Sequence, residues 1–313
     1  MKTKRFIFLS GIMLSAIVFT SCKKTPAPTA EIFSTAAGYT ITFNPQVTDG
    51  DTYSWDFGDG SALSTEKNPM HTYESFGDYS VKLTVKGEGG ETTTTKVISI
   101  AASSLKDLLT GGIKAANGKT WVMSRGYNPG QDGGGPVLNE MPVVLPSAEN
   151  VLDLFGLGAE YDNEYTFFFD GRYAMNLKNG QALAGAVYGV ATGTIVGDPV
   201  YTIGMCTATY APPANANWTA NTSDLTVDAI TDPNTTDVPP VHGNVTFTGK
   251  NWISFSEGAF FGILDFPTTA KLIIKEITPD KMKVAMFLCG YGYDAGFVAL
   301  PTNMIHITFE VKK

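Results

Sequence analysis

Cysteine and histidine are scarce. The 313-residue chain holds three of each: Cys22, Cys206 and Cys289, and His71, His242 and His306. No Cys-x-x-Cys pair occurs and the histidines are scattered, which argues against a zinc or iron centre. Two cysteines beyond Cys22 make no disulfide framework. Cys206 and Cys289 are left either as a single pair or as two buried thiols, since free cysteine is often buried. Gly-x-Ser-x-Gly and His-Glu-x-x-His are missing, so the usual serine-hydrolase and metalloprotease signatures are not present. The glycine-rich run Asn128–Pro136 lacks the Lys-Ser/Thr of a phosphate loop and is expected to be a mobile surface loop. Positive charge is also short, at 22 basic against 30 acidic residues. That balance excludes a nucleic-acid binder, which needs basic patches, and suits a neutral polysaccharide.

Long apolar runs are missing too. The longest, Phe6–Phe19, follows the basic residues Lys2, Lys4 and Arg5. It falls short of the roughly 20 residues of a membrane span and fits an export signal. It ends in Thr20-Ser21-Cys22, which resembles a bacterial lipoprotein cleavage site. The resemblance implies removal of residues 1–21 and acylation of Cys22, with several acyl chains giving a stable anchor. Cleavage there would leave 19 basic against 30 acidic residues. Residues 22–30, rich in Pro, Thr and Ala, make a lipidated flexible tether. The chain is expected lipid-anchored at the outer membrane, on the cell surface; the periplasmic face stays open as the alternative because Lys23 and Lys24 stand where surface-directed lipoproteins often carry acidic residues.

The remaining length exceeds one typical domain. Residues 31–101 alternate in short β-branched and aromatic runs: Tyr39–Phe43, Tyr53–Phe57, Tyr79–Val85 and Thr94–Ile100. Lys86–Glu91 reads as a hairpin connection, and Gly58, Asp59 and Gly60 suit a turn. The pattern predicts a small β-sandwich. "YSWDFGDGS" (53–61) followed by "NPMHTYESFGDYSVKLTV" (68–85) resembles a PKD domain. The resemblance implies an immunoglobulin-like sandwich with Trp55 in its core. Asp56 and Asp59 are expected to satisfy turn amides, calcium ligation being the alternative.

Ser104 opens a short capped helix that Gly111-Gly112 stop, placing a boundary near 101–105. A second helical turn is expected over 147–155, capped by Ser147 and ended by Gly156. Otherwise 105–313 is strand-like, with eight or more alternating runs between Lys119 and Lys313 and a hairpin connection at Thr278-Pro279-Asp280. These predict an all-β chain: the sandwich, then a larger jelly-roll-like sandwich. "GKTW" (118–121) and "YDNEYTFFFDG" (161–171) resemble the C-terminal domain of PKD-containing lipoproteins from polysaccharide-utilisation systems. The resemblance implies a surface glycan-binding domain, with an outer-membrane transporter and glycan-degrading enzymes as partners.

Sugar rings offer apolar faces to flat aromatics and a rim of hydroxyls to amides and carboxylates. The candidates are therefore loop residues: Trp218, Tyr127, Tyr291 and Tyr293 for stacking, with Asn128, Gln131 and Asp294 as polar neighbours. Trp121 and Trp252 lie in alternating runs and are assigned to the core. One acidic cluster carries the alternative of catalysis. In a strand, Glu160, Asp162 and Glu164 would share a face, as a jelly-roll glycosidase with a Glu160/Glu164 pair requires. Asp162 and Glu164 are also the candidate ligands for a structural calcium. The expectation is a non-catalytic polysaccharide-binding lipoprotein with no cofactor beyond such a calcium; the alternatives are a glycosidase and a structural or protein-binding envelope lipoprotein.

Overall fold

The computed structural model describes residues 24–102, 104–232, 241–267, 270–290 and 300–313. Proximity along the backbone divides the chain into two compact units. The first takes the chain up to Ala36 with Ile41–His71 and Tyr79–Ile98; the second takes Ala37–Thr40, Thr72–Asp78 and Ser99–Lys313.

Eight strands build the small sandwich. They are β1 (Thr29–Glu31), β2 (Ser34–Ala37), β3 (Thr40–Phe43), β4 (Gln46–Thr48), β5 (Thr52–Asp56), β6 (Met70–Thr72), β7 (Gly77–Gly87) and β8 (Gly90–Ile100). They pair as β2-β3-β6, β5-β7-β8 and β1-β4. The alternation reads through: Ile41, Phe43, Trp55, Val81, Leu83 and Val85 are buried while their neighbours face water. Phe43 and Trp55 meet with ring centroids 5.1 Å apart, and the Trp55 indole N–H donates to the Glu66 carbonyl at 2.9 Å. The motif that follows is a clip. Asp56 accepts from the Gly58 amide, and Asp59 accepts from both the amide and the hydroxyl of Ser61. His71 bonds the other Asp59 oxygen at 2.8 Å and stacks on Phe57 at 4.0 Å. Gly58 has φ +77°, and a Cβ there would lie 2.7 Å from the Ser80 carbonyl, so only glycine fits.

The second unit holds α1 (Leu105–Thr110), α2 (Val151–Leu154) and α3 (Ala186–Thr192). Its strands are β9 (Lys119–Met123), β10 (Gly133–Pro136), β11 (Leu145–Pro146), β12 (Glu164–Phe167), β13 (Tyr173–Asn176), β14 (Gln181–Gly185), β15 (Ile195–Val200) and β16 (Met205–Thr209). They continue with β17 (Trp218–Asn221), β18 (Leu225–Ile230), β19 (His242–Phe247), β20 (Asn251–Phe255), β21 (Lys271–Ile277), β22 (Lys281–Leu288) and β23 (Asn303–Val311). As expected, Ser104 caps α1 by accepting from the Asp107 amide, and Gly111 ends it in the left-handed region. Ser147 does not cap α2; Asn150 holds that place with φ +52°.

The main sheet runs β13-β12-β9-β23-β22-β21-β20-β17. Its two ends meet. Arg172 bridges Asn217, the Tyr173 amide donates to Ala216 at 2.8 Å, and the Trp218 amide donates to Gly171 at 2.9 Å. A sheet that pairs its first strand with its last is a barrel. Neighbours around it follow chain order from β9 through β23 and back to β9, an up-and-down path. The all-β expectation thus holds, with a larger barrel-like sandwich after the small one; its path meanders where a jelly roll would interleave. Two small sheets complete the unit, β14-β16-β15 and the β18-β19 hairpin. The hairpin contributes Leu225, Val227, Ala229 and Phe247 to a cluster with Ile273, Ala285, Phe287 and Met304 from the barrel strands.

The barrel interior is aromatic. Tyr165, Phe167, Phe261 and Phe309 are buried together, with Phe261 and Phe309 centroids 4.2 Å apart. Trp121 is fully buried, as expected, and donates its indole N–H to the Leu109 carbonyl. Trp252 is half-buried and packs against the hairpin-side cluster. Among the described residues no helix is long and apolar enough to cross a membrane.

Candidate functional site

One edge of β23 serves two strands, and the barrel opens where they part. β9 pairs with Phe309–Val311, while β10 pairs with Asn303–His306. The chain between β9 and β10 must leave the edge and return. Ser124 makes the last ladder-like bond, its amide donating to the Thr308 carbonyl at 2.9 Å. Asp132 then pins the loop. One carboxylate oxygen accepts from the amide and side-chain nitrogen of Asn128 at 2.8 and 3.0 Å. The other accepts from the Thr308 hydroxyl at 2.9 Å. Asn128 spends its second side-chain N–H on Thr308 at 2.7 Å. The Gln131 carbonyl accepts from the Lys275 ammonium.

A recess of about 670 Å³ lies beside this edge. Its walls include the glycines of β10, the strand β11, the start of α2, the turn Tyr201–Met205 and the 303–308 half of β23. Size and place match a small-molecule site, since ligand pockets of roughly 300–1,000 Å³ favour the mouths of barrels. Tyr161 forms part of the wall. Its hydroxyl accepts from the Leu152 amide at 3.1 Å, and the Arg125 guanidinium covers one face of its ring at 4.5 Å. Arg125 is itself tied to Asp153 at 2.9 Å. The wall is therefore fixed by bonds before any ligand arrives. Tyr201, Val144 and Leu145 stand at the rim, exposed by 75%, 59% and 67%.

His306 lines the recess and is fully buried. Burial first, and then the Lys275 charge, lower its pKa to about 4, so the ring is neutral at pH 7. Its Nδ1 faces the Lys275 ammonium at 3.4 Å and so acts as acceptor. Nε2 then carries the proton, and it is buried with no hydrogen-bond partner among the described residues. Burial also lowers the Lys275 pKa, against the pull of Asp132.

The structure rearranges the sequence candidates. Trp218 lies in strand β17, not a loop, and is 6% exposed. It meets Phe167 edge to face and donates to the Phe168 carbonyl at 3.1 Å, so it cannot stack on a sugar. Asn128 builds the loop beside the recess instead of lining it, and its side-chain N–H groups are taken. Tyr127 is half-buried and Gln131 is exposed; neither lines the recess. The glycine-rich run is only partly a loop, since Gly133–Pro136 form strand β10. Tyr291, Tyr293, Asp294 and Cys22 lie outside the described residues.

The acidic cluster does not share a strand face. Residues 158–162 form a 3₁₀ turn, and the strand begins at Glu164. Glu160 is 3% exposed and accepts from Asn163 at 2.7 Å. Burial raises its pKa against hydrogen bonds from Thr207, Asn163 and the Leu183 amide. Glu164 takes the opposite course. Burial would raise its pKa, but hydrogen bonds from Lys178, Lys312 and Asn176 prevail and lower it to about 2. Lys178 sits 2.6 Å and Lys312 2.8 Å from one oxygen. Asp162 faces Arg125 at 3.6 Å. The two calcium candidates are thus met by cations. Among the described residues no group of three or more His, Cys, Asp or Glu is placed to hold a metal.

A third polar cluster is buried. Asp265 accepts from the Cys289 amide at 2.7 Å and the Phe266 amide at 2.8 Å. Burial raises its pKa to about 7 against those bonds. Cys206 and Cys289 are both free and buried, with Cys206 pushed up to about 11 by burial and then by Asp265 and Glu160.

Sequence comparison agrees with the first fold. The PKD-domain family model matches residues 25–102. The immunoglobulin-like sandwich is a PKD domain. The collagenase ColQ1 of Bacillus cereus strain Q1 is 45% identical over 56 residues, which is 18% of this chain and 6% of that protein. The chain thus spans about 6% of the length of the curated relative it matches. Among solved structures, the PKD1 domain of Vibrio anguillarum Epp is 33% identical, covering 24% of this chain and 93% of that one, with TM-score 0.23. A carbohydrate-binding module from the β-sandwich superfamily is 13% identical, covering 92% of this chain and 93% of that one, with TM-score 0.25.

The rim was not found from the sequence. Tyr201 stands in the run Val200-Tyr201-Thr202-Ile203-Gly204, and an aromatic just before a glycine turn was the available signal. Leu145 lies two-thirds exposed in a two-residue strand, too short to show a period.

Proposed function

We propose that this protein is a non-catalytic polysaccharide-binding lipoprotein of the outer membrane. The barrel-mouth recess holds glycan, and the PKD domain serves as its spacer on an anchor at Cys22. The observation that carries this is the recess itself: about 670 Å³ with prebuilt walls, the exposed Tyr201 ring at its rim, and hydroxyl and amide groups of Ser124, Ser147, Thr202 and Asn303 along it. A ring beside hydroxyls is the equipment sugars need. Binding without cleavage is supported by the carboxylates. Glu160 is buried on its own hydrogen bonds, and Glu164 is neutralised by two lysines. Neither is free to act as a nucleophile or acid toward a glycosidic bond. A transporter and glycan-degrading enzymes would then receive what the recess holds.

Affinity electrophoresis of the purified protein through gels carrying different polysaccharides tests this, with a reducing-end assay on the same samples. The expected result is retardation by at least one neutral polysaccharide and no new reducing ends. New reducing ends that vanish in Glu160→Gln would replace the binder by a glycosidase. No retardation on a broad panel would move the assignment to a structural or protein-binding role.

A further inference from the structure

We infer that the barrel-mouth recess is built for an uncharged aliphatic group, so that the glycan it takes carries an acyl or alkyl substituent. This rests on reading the recess as the glycan site, and it names the part of the ligand that enters.

The first observation is the wall. Met123, Val151, Met205, Leu288, Ile305 and Ile307 all line the recess. Ile305 and Ile307 pack against the same core cluster as the interior residue Phe309, so the lining continues the barrel core. A site for bare sugar rings is walled by flat aromatics. Here the interior aromatic is Tyr161, and one face of its ring is already covered by Arg125. The surface that remains is aliphatic and suits an aliphatic guest.

The second observation is charge. Among the described residues no lysine or arginine lines the recess. The carboxylate on its wall, Asp132, has both oxygens engaged by Asn128 and Thr308. His306 is neutral. A carboxylate, phosphate or ammonium entering this space would lose its hydration with no countercharge to replace it. The guest is therefore neutral, and the polar groups available to it are the hydroxyls of Ser124, Ser147 and Thr202 and the amide of Asn303.

The third observation is the lip. Val144, Leu145 and Tyr201 are large apolar residues left in water at the edge of a recess that they also line. The fold does not need them there, because they contribute nothing to the buried clusters. Exposed apolar surface gathered beside a cavity marks a binding site. An amphipathic ligand uses all three features. Its chain enters the aliphatic interior and its sugar head stays at the rim against Tyr201 and the hydroxyls.

Calorimetric titration of the purified protein with methyl β-glucoside, octyl β-glucoside and octanol, all below micelle-forming concentrations, separates the terms. The expected result is one octyl glucoside per chain, bound at least about tenfold tighter than methyl glucoside, because the buried methylenes add to affinity. Leu145→Asp, at an exposed position, should weaken it about tenfold with an unchanged melting curve; Ile305→Arg should abolish it. Octanol bound as tightly as octyl glucoside, with no polysaccharide retarding the protein, would keep the aliphatic site and overturn the glycan. Retardation by unsubstituted polysaccharide with neither alkyl compound bound would overturn this inference and leave the glycan-binding function standing.

Discussion

The indole N–H of Trp218 donates to the Phe168 carbonyl at 3.1 Å while its backbone amide donates to Gly171 at 2.9 Å. One residue therefore pins β17 to the turn between β12 and β13, from inside and along the backbone at once. Removing the ring leaves a cavity against Phe167 and takes one of two donors from the Phe168 carbonyl, which keeps the Gly171 amide at 3.1 Å. Trp218→Ala should cost roughly 3–5 kcal/mol in urea denaturation, and Trp218→Phe much less. Loss of glycan retardation in the alanine variant should track loss of folded protein; full retention of structure with loss of binding would return Trp218 to the ligand site.

Asp265 sets a slope in the stability of the second unit. Its folded pKa of about 7 exceeds that of an unfolded aspartate. The folded state therefore keeps a proton that the unfolded state has lost. Its contribution is full below about pH 4 and declines as pH rises through 7. Asp265→Asn should flatten the fall in stability between pH 4 and 7, read from urea midpoints at each pH. An unchanged slope would contradict the assignment.

Asp59 works with the opposite sign in the PKD domain. Its burial would raise its pKa, but hydrogen bonds from Ser61 and His71 hold it at about 2. Stability from this group is present above about pH 4 and lost as pH falls toward 2. Asp59→Asn should remove that part of the acid limb. Gly58→Ala, which forces a Cβ within 2.7 Å of Ser80, should cost roughly 1–3 kcal/mol at all pH values.

Cys206, at about 11, is mostly thiol at pH 8, with a thiolate fraction on the order of a thousandth. Cys206 and Cys289, both buried, should react with a water-soluble disulfide reagent only slowly in the native protein and at once in denaturant. Rapid native labelling would show that one of them is reachable from solvent.

The PKD domain was legible because its signals are local. Trp55 alternates with the residues beside it, and Gly58-Asp59-Gly60 form a turn with its own side-chain caps, so sequence spacing and structure coincide. The barrel's strands were legible for the same reason, from Lys119, Glu164, Lys281 and Met304 onward. Its closure was not. The Arg172–Asn217 bridge joins residues 45 positions apart through two short strands, and no pattern in either run names the other. The site failed for a related reason. Trp218 sits among Pro, Asn and Ala, which read as loop, yet the barrel needs its ring inside. Glu160-Tyr161-Asp162 alternates like a strand, but Asn163 bonds back to Glu160 and across to the Gln181 carbonyl, and the segment coils into a 3₁₀ turn. Tyr201 and Leu145 become a lip only when the split edge of β23 brings β10, β11 and the 201–205 turn to one place.

The measurement that bears most directly on the glycan site is hydrogen–deuterium exchange with and without an oligosaccharide cut from a polysaccharide that retards the protein. Bound ligand orders the amides it covers and slows their exchange. The account predicts slowed exchange in Gly133–Pro136 and Tyr201–Met205 and none in the PKD domain. Slowed exchange confined to the PKD domain, or to the β18-β19 hairpin, would contradict it.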